Sequence, residues 1–238
     1  MKFEDRAWQA AFGEGLLKLA ADKKGQRARR KMCRAYSEEL AKAGKMLRDA
    51  DQGEDITGLA TLCLVGAELA RGASDLLDQG NSYGAQALIR QLVEVEYLAS
   101  AFAEKDEIAA QWVRSDRAER QKFWSPAKLR ARANGKFLRE DYWDHCELGG
   151  HPTPIAPILL APDEFPPGFI WADMCGHLHG IWDGVIHAID VRCDQLPESF
   201  VVPLGPITNA EDQWMEADEL TQVLRSMHTL FRRPNGSQ

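Results

Sequence analysis

The sequence predicts an all-α protein, a single bundle of seven to nine helices with one proline-rich loop. Three observations predict it. Apolar residues recur at spacings of three and four along nearly the whole chain, the period of helices that bury one face. The composition, 45% hydrophobic and 27% charged over 238 residues, suits one generous core and excludes a disordered or fibrous chain. No shift in composition looks like a linker, so residues 1–238 read as one domain, a charged arm at 1–52 packed on or projecting from a 55–232 core.

Two helices, 4–21 and 26–51, open the chain, and the second carries more charged than apolar residues, as an exposed hairpin-like arm does. Leu59, Leu62, Val65, Leu69, Ala73 and Leu76 step by three or four, which predicts a helix over 55–79 stopped by Gly80. Asn81-Ser82 caps the next, carried by Leu88, Leu92, Val95, Ala99 and Phe102 to about Glu104, and the short link makes the two an antiparallel hairpin. An amphipathic helix follows over 106–121, Ser125-Pro126 starts another, and 137–148 is a short helix ended by Gly149-Gly150. Six of the eleven prolines fall between 152 and 167, which excludes a helix there. A long helix over 168–194 then reads as buried around more than half its circumference, 197–206 as an extended segment, and Thr208-x-x-Glu211 as a capping box opening a last helix to about Arg232.

Five cysteines (Cys33, Cys63, Cys146, Cys175, Cys193) are scattered without a C-x-x-C pair, so free thiols are expected. The N-terminus MKFEDRAWQA is charged where a signal peptide is apolar, and no uninterrupted apolar run reaches the roughly 18 residues of a membrane span, so a cytoplasmic protein with no membrane contact is expected. A net charge of -7 argues against a generic nucleic-acid binder. The charge is segregated, however: residues 22–34 sum to +6 and 114–139 to +7, leaving -20 elsewhere. The plain interpretation is a set of solvated helix faces met by neighbouring acids; a local basic face suited to phosphate is the other.

Motifs exclude more than they suggest. G-x-S-x-G, P-loop and G-x-G-x-x-G patterns are missing, so acyl transfer, NTP hydrolysis and dinucleotide chemistry have no support. His179, Asp183 and His187 step by four and share a helix face, a ligand set that reads first as a solvated stripe, while His177 lies at the apolar edge as a hydrogen-bonded core histidine would. No metal and no cofactor is called for. Arg90 and Glu94, four apart in an otherwise apolar helix, must find partners, and Glu68, Arg71 and Asp75 on the hairpin partner offer a register-fixing network. The alternative is that Arg90 faces a cleft and binds an anion.

The helix Arg90-Gln-Leu-Val-Glu94, the later Tyr142 and the helix end Gly149-Gly150-His151-Pro152 together resemble an uncharacterised bacterial helical family related to HEPN domains, over roughly residues 60–190. The resemblance implies a compact, often dimeric helical bundle and, for many members, a metal-independent ribonuclease of toxin or phage-defence systems. The signature of such enzymes is an arginine followed after four to six residues by a histidine. Here Arg139 stands five residues before His145, departing from the usual pattern in the glutamate straight after the arginine. In that reading His151, His145, Arg139 and Tyr142 are catalytic, and Arg90, Glu94, Arg130, Arg132 and Lys136 bind substrate RNA. A histidine takes the 2′-hydroxyl proton while an arginine stabilises the attacked phosphate, and the site is doubled across a homodimer. On a regular helix Arg139 and His145 lie about 120° apart, so His151, beside the loop, is the better placed. The competing expectation is a non-catalytic module that binds a partner protein or small ligand through the proline loop and the polar network.

Overall fold

The computed structural model describes residues 13–50, 53–162, 165–202 and 204–224. They form α1 (Gly13–Ala21), α2 (Lys23–Ala50), α3 (Glu54–Asp78), α4 (Ser82–Phe102), α5 (Ile108–Arg114), α6 (Arg117–Phe123), α7 (Pro126–Arg132), α8 (Arg139–His145), α9 (Pro167–Asp190) and α10 (Gly205–Ala217). A π-turn, Cys146–Gly150, follows α8, and short 3-10 turns lie at Ala156–Leu160 and Cys193–Gln195. The all-α expectation holds, with eleven α-helical stretches among the described residues, the ten above and one over 219–224, where seven to nine were predicted. One reason is that the helix expected over 106–121 breaks at Ser115-Asp116, where Asp116 and Glu119 form a capping box that starts α6 afresh.

The α3–α4 hairpin forms as its sequence requires. Gly80 takes a left-handed φ of 77°, and the Asn81 side chain accepts a hydrogen bond from the Gly84 amide at 2.9 Å. Helix α2 packs along α3, and α9 lies against α4 and α2, so four long helices enclose Leu40, Leu62, Ala70, Leu92, Trp171 and Ile181. Among the described residues, α3 alone is long and apolar enough to cross a membrane, and over half of its apolar window is buried inside the protein, as in a core helix.

Several expectations are corrected by packing. Of the two placements expected for the arm, residues 26–50 are packed on the core and do not project: Met32, Cys33, Tyr36, Leu40, Ala43 and Leu47 make one apolar face of α2, which sits in the core. Arg29, counted with the solvated basic run, is fully buried, donating to the carbonyls of Gly168 (2.6 Å), Leu19 and Gly25 and pairing with Asp218 at 3.1 Å. Thr208 and Glu211 form no capping box. Thr208 lies inside α10, where its hydroxyl donates to the Leu204 carbonyl at 3.2 Å, and Glu211 turns to His179 and Tyr36. The last helix breaks at Asp218, and residues 197–202 pair with no strand, there being none among the described residues. The predicted reach from 225 to Arg232, and the start of the first helix at 4–12, lie outside the described residues.

Candidate functional site

On α4 the period that buries Ile89, Leu92, Val93 and Tyr97 leaves Arg90, Glu94 and Glu96 along its edges. None of them turns to α3. The network expected with Glu68, Arg71 and Asp75 is absent: Glu68 and Arg71 pair with each other on an exposed face. Arg90 instead donates to Glu94 at 2.8 Å and to the Tyr142 hydroxyl at 3.0 Å, and that hydroxyl donates to Glu94 at 3.1 Å, closing a three-membered ring between α4 and α8. The guanidinium groups of Arg90 and Arg130 stand 5.7 and 5.9 Å from the Tyr142 ring centre. Two cations from two helices thus stand within about 6 Å of one aromatic ring.

One turn after Tyr142 on the same helix comes His145, almost fully buried. Its Nδ1–H donates to the Asp141 carbonyl at 2.7 Å, its Nε2 lies 2.9 Å from Asp173 Oδ2, and the Nε2 of His177 lies 3.2 Å away. His177 Nδ1–H donates to Glu96 at 2.8 Å, and its Nε2 approaches Asp173 Oδ1 at 3.5 Å. Asp173 and His177, four apart, share one face of α9. Two glycines make room for the assembly. A Cβ at Gly180 would fall 2.1 Å from Glu96 Oε1, and one at Gly149, in the π-turn, 2.5 Å from the Gln86 backbone, so both close approaches require a missing side chain.

The electrostatics follow from this packing. Burial alone would push the His145 imidazole down, but the Asp173 carboxylate outweighs it and holds the ring above its ordinary value. His177 rises well above, because hydrogen bonds to Asp173 and Glu96 exceed the cost of burial. Asp173 is the mirror image: burial favours its neutral form, and the two imidazoles hold it far below the usual carboxylate range. Tyr142 is pushed up to about 12, by burial first and by Glu94 second, so its hydroxyl keeps its proton and serves as a donor.

The structure brings together Arg90, Glu94, Arg130, Tyr142 and His145, and separates the others. The Arg139 guanidinium lies over the exposed Trp143 ring at 6.0 Å, while His145 points inward, so the arginine–histidine spacing does not become a joint site. His151 is exposed just past the π-turn in extended backbone, outside the His145–His177 network. Arg132 pairs with Glu104 at 2.7 Å and Lys136 reaches Ser100 at 3.3 Å, both on the rim. His179 turns to Glu211 and Tyr36, and His187 to Asp183 on an exposed face, so the set stepping by four does not converge. The histidine that does converge is His177, the hydrogen-bonded core histidine expected from the sequence, with Asp173 and Glu96, neither of which was assigned a role there. The signal was the doubled spacing Asp141-x-x-x-His145 and Asp173-x-x-x-His177. Asp141, His145 and His177 each place one potential ligand atom within 4.8 Å of the others.

No family model matches this chain, and neither the curated proteins nor the solved structures compared with it give a match.

Proposed function

We propose that the protein is a HEPN-like, RNA-acting protein whose working centre is the junction of Arg90–Glu94–Tyr142 with His145, and not the Arg139–His145 pair. One observation carries the reading: Arg90 and Arg130 meet on the Tyr142 ring one helical turn from a histidine held beside an anionic partner. Guanidinium groups beside an aromatic face suit a phosphate and an unstacked base, the two parts that single-stranded RNA offers. In the cleavage step the 2′-oxygen attacks phosphorus, its proton passing to the histidine pair. The P–O5′ bond breaks, and the departing oxygen takes a proton from water or a neighbouring acid, leaving a 2′,3′-cyclic phosphate and a 5′-hydroxyl. Arg90 offsets the charge that builds on the phosphate. The Nε2 atoms of His145 and His177, 3.2 Å apart, leave no room for a phosphate between them. The pair therefore sits on one side of the substrate and takes up a single proton, accepted by His145 in its neutral form.

The direct test is a panel of end-labelled single-stranded RNAs incubated with purified protein. Cyclic-phosphate ends are expected, with the rate falling about 100-fold or more in Arg90→Ala and His145→Ala. Intact RNA across the panel, with no retention on a filter, rejects the reading. A partner-binding module is favoured by one feature, the exposed Leu160 (72% accessible) in the proline loop; loss of a co-purifying protein in Leu160→Asp, with RNA untouched, would select it.

A further inference from the structure

The histidine centre has an unusual arrangement of acceptors. Both Nδ1 atoms carry their proton toward a fixed oxygen, the Asp141 carbonyl for His145 and the Glu96 carboxylate for His177. In the neutral rings this leaves two Nε2 lone pairs facing each other at 3.2 Å, with the Asp173 carboxylate against both, at 2.9 and 3.5 Å. Three acceptors so placed hold together only around a shared cation, a proton on one of the raised imidazoles in the metal-free chain or a metal ion in its place. Around a tetrahedral zinc ion, with bonds of about 2.0–2.1 Å, neighbouring ligand atoms stand about 3.3 Å apart, and the three separations here bracket that edge.

The supports agree. Ligating histidines almost always donate their second ring N–H to a carbonyl or carboxylate, which fixes the tautomer and aims the other nitrogen. His145 and His177 do both. The Glu96 carboxylate occupies the space that a side chain at position 180 would fill. The ligands come as two i, i+4 pairs, Asp141 with His145 on α8 and Asp173 with His177 on α9, each presenting one helix face. Two carboxylates and two neutral imidazoles carry the -2 that a divalent ion balances. The Asp173 side chain is one-third exposed, at 33%, which gives an ion a way in.

We propose that His145, His177 and Asp173, with Asp141 as the fourth ligand, bind one divalent transition-metal ion of the zinc class. Two imidazoles favour such an ion over magnesium or calcium, which prefer all-oxygen sites. The proposal uses the same centre as the RNA reading but does not need RNA as substrate. With an ion bound, the proton acceptor in that reading becomes a water on the ion in place of a bare imidazole, and the role of Arg90 is unchanged.

The full chain, stripped with chelator and dialysed, is titrated with Co²⁺ and separately with Zn²⁺. One equivalent of Co²⁺ with the visible absorption of a four- or five-coordinate nitrogen–oxygen site is expected, and Zn²⁺ displaces it. His145→Ala and His177→Ala abolish the band, while His187→Ala, on the exposed face of the same helix, keeps it. Should the alanine variants fail to fold, Asp173→Asn and Glu96→Gln preserve shape, and the latter weakens binding about 10–100-fold. No stoichiometric uptake, or equal uptake by Asp173→Asn, Glu96→Gln and the wild type, overturns the proposal. RNA cleavage is scored in parallel: metal uptake without cleavage rejects only the RNA reading, and undiminished cleavage by protein that takes up no metal rejects only the ion.

Discussion

Tyr142 does two jobs with one side chain. Its hydroxyl closes the ring with Arg90 and Glu94, and the guanidinium groups of Arg90 and Arg130 stand within about 6 Å of its aromatic ring. Tyr142→Phe separates the two, since the face stays and the hydroxyl goes. Because the residue is only partly buried and the lost bonds are shared with a charged pair, the fold should lose no more than about 1–2 kcal/mol by denaturant melt. RNA retention should survive and cleavage fall about tenfold, because Arg90 loses the partner that orients it. Equal loss of both would mean that the hydroxyl itself contacts RNA. The sequence announced this group plainly: Arg90 and Glu94 interrupt an apolar helix, and polar groups there must find partners. Asp173 and His177 announced themselves poorly. Flanked by Trp171, Met174 and Ile181, they read as the polar margin of a buried helix, and only the doubled four-residue spacing set them apart. Arg139 misled for a physical reason: six residues along α8 from His145, it is turned about 120° away around the helix, where Trp143 takes it.

At the scale of elements, the π-turn Cys146–Gly150 decides where His145 sits. It carries the chain from α8 back along α4, and Gly149 makes the approach possible by lying against the backbone of Gln86 and Ala87. A methyl group there meets main chain, which cannot rotate away. Gly149→Ala should therefore cost about 1–3 kcal/mol through overpacking and should shift α8, weakening metal uptake as well as stability. Gly15→Ala, where an added Cβ meets nothing, serves as the neutral comparison. The π-turn itself was not legible, because the same glycines that allow it also read as an ordinary helix stop. Boundaries set by glycine and asparagine, as at Gly80-Asn81, were legible to within a residue or two. The boundary at Ser115-Asp116 was missed because residues 114–122 carry no glycine or proline to mark a stop and are mostly charged helix formers, so that only the Asp116–Glu119 capping box interrupts the helix.

Two buried ion pairs tie distant parts of the whole molecule. Arg192 is fully buried and joins Asp55 at 2.6 Å while donating to the carbonyls of Phe102, Ala188 and Lys105, so it fastens the end of α9 to the start of α3 and the end of α4. Removing the cation strands a nearly buried carboxylate. Arg192→Met should cost about 3–5 kcal/mol, a fall in melting temperature on the order of 10 °C, and Asp55→Asn in the same chain should restore part of it. Nothing in the sequence marked these arginines, because a long side chain in a charged run looks solvated until the carbonyls around it are known.

The same pairing governs what the surface charge can do. Of the two basic segments, Arg29 is internal, Arg30 and Arg34 are met by Asp78, Arg114 by Glu54 and Arg132 by Glu104. The field toward RNA is thus far smaller than the +6 and +7 of the segments suggest, and it concentrates near Tyr142, where Arg90 and Arg130 meet and Arg139 lies one turn away on the outer face. Each phosphate neutralised on a single strand contributes about -0.7 to the slope of log affinity against log salt. Three such cations predict a slope near about -2, shallow beside that of a dedicated nucleic-acid binder. Arg139→Ala should flatten it by about 0.7 without stopping cleavage, since that guanidinium reaches the phosphate chain and not the reacting centre. Arg27→Ala, on the opposite basic segment, should leave it unchanged. A slope steeper than about -4, or one that responds to Arg27 as strongly as to Arg139, would place the RNA on the α2 face and away from the histidines.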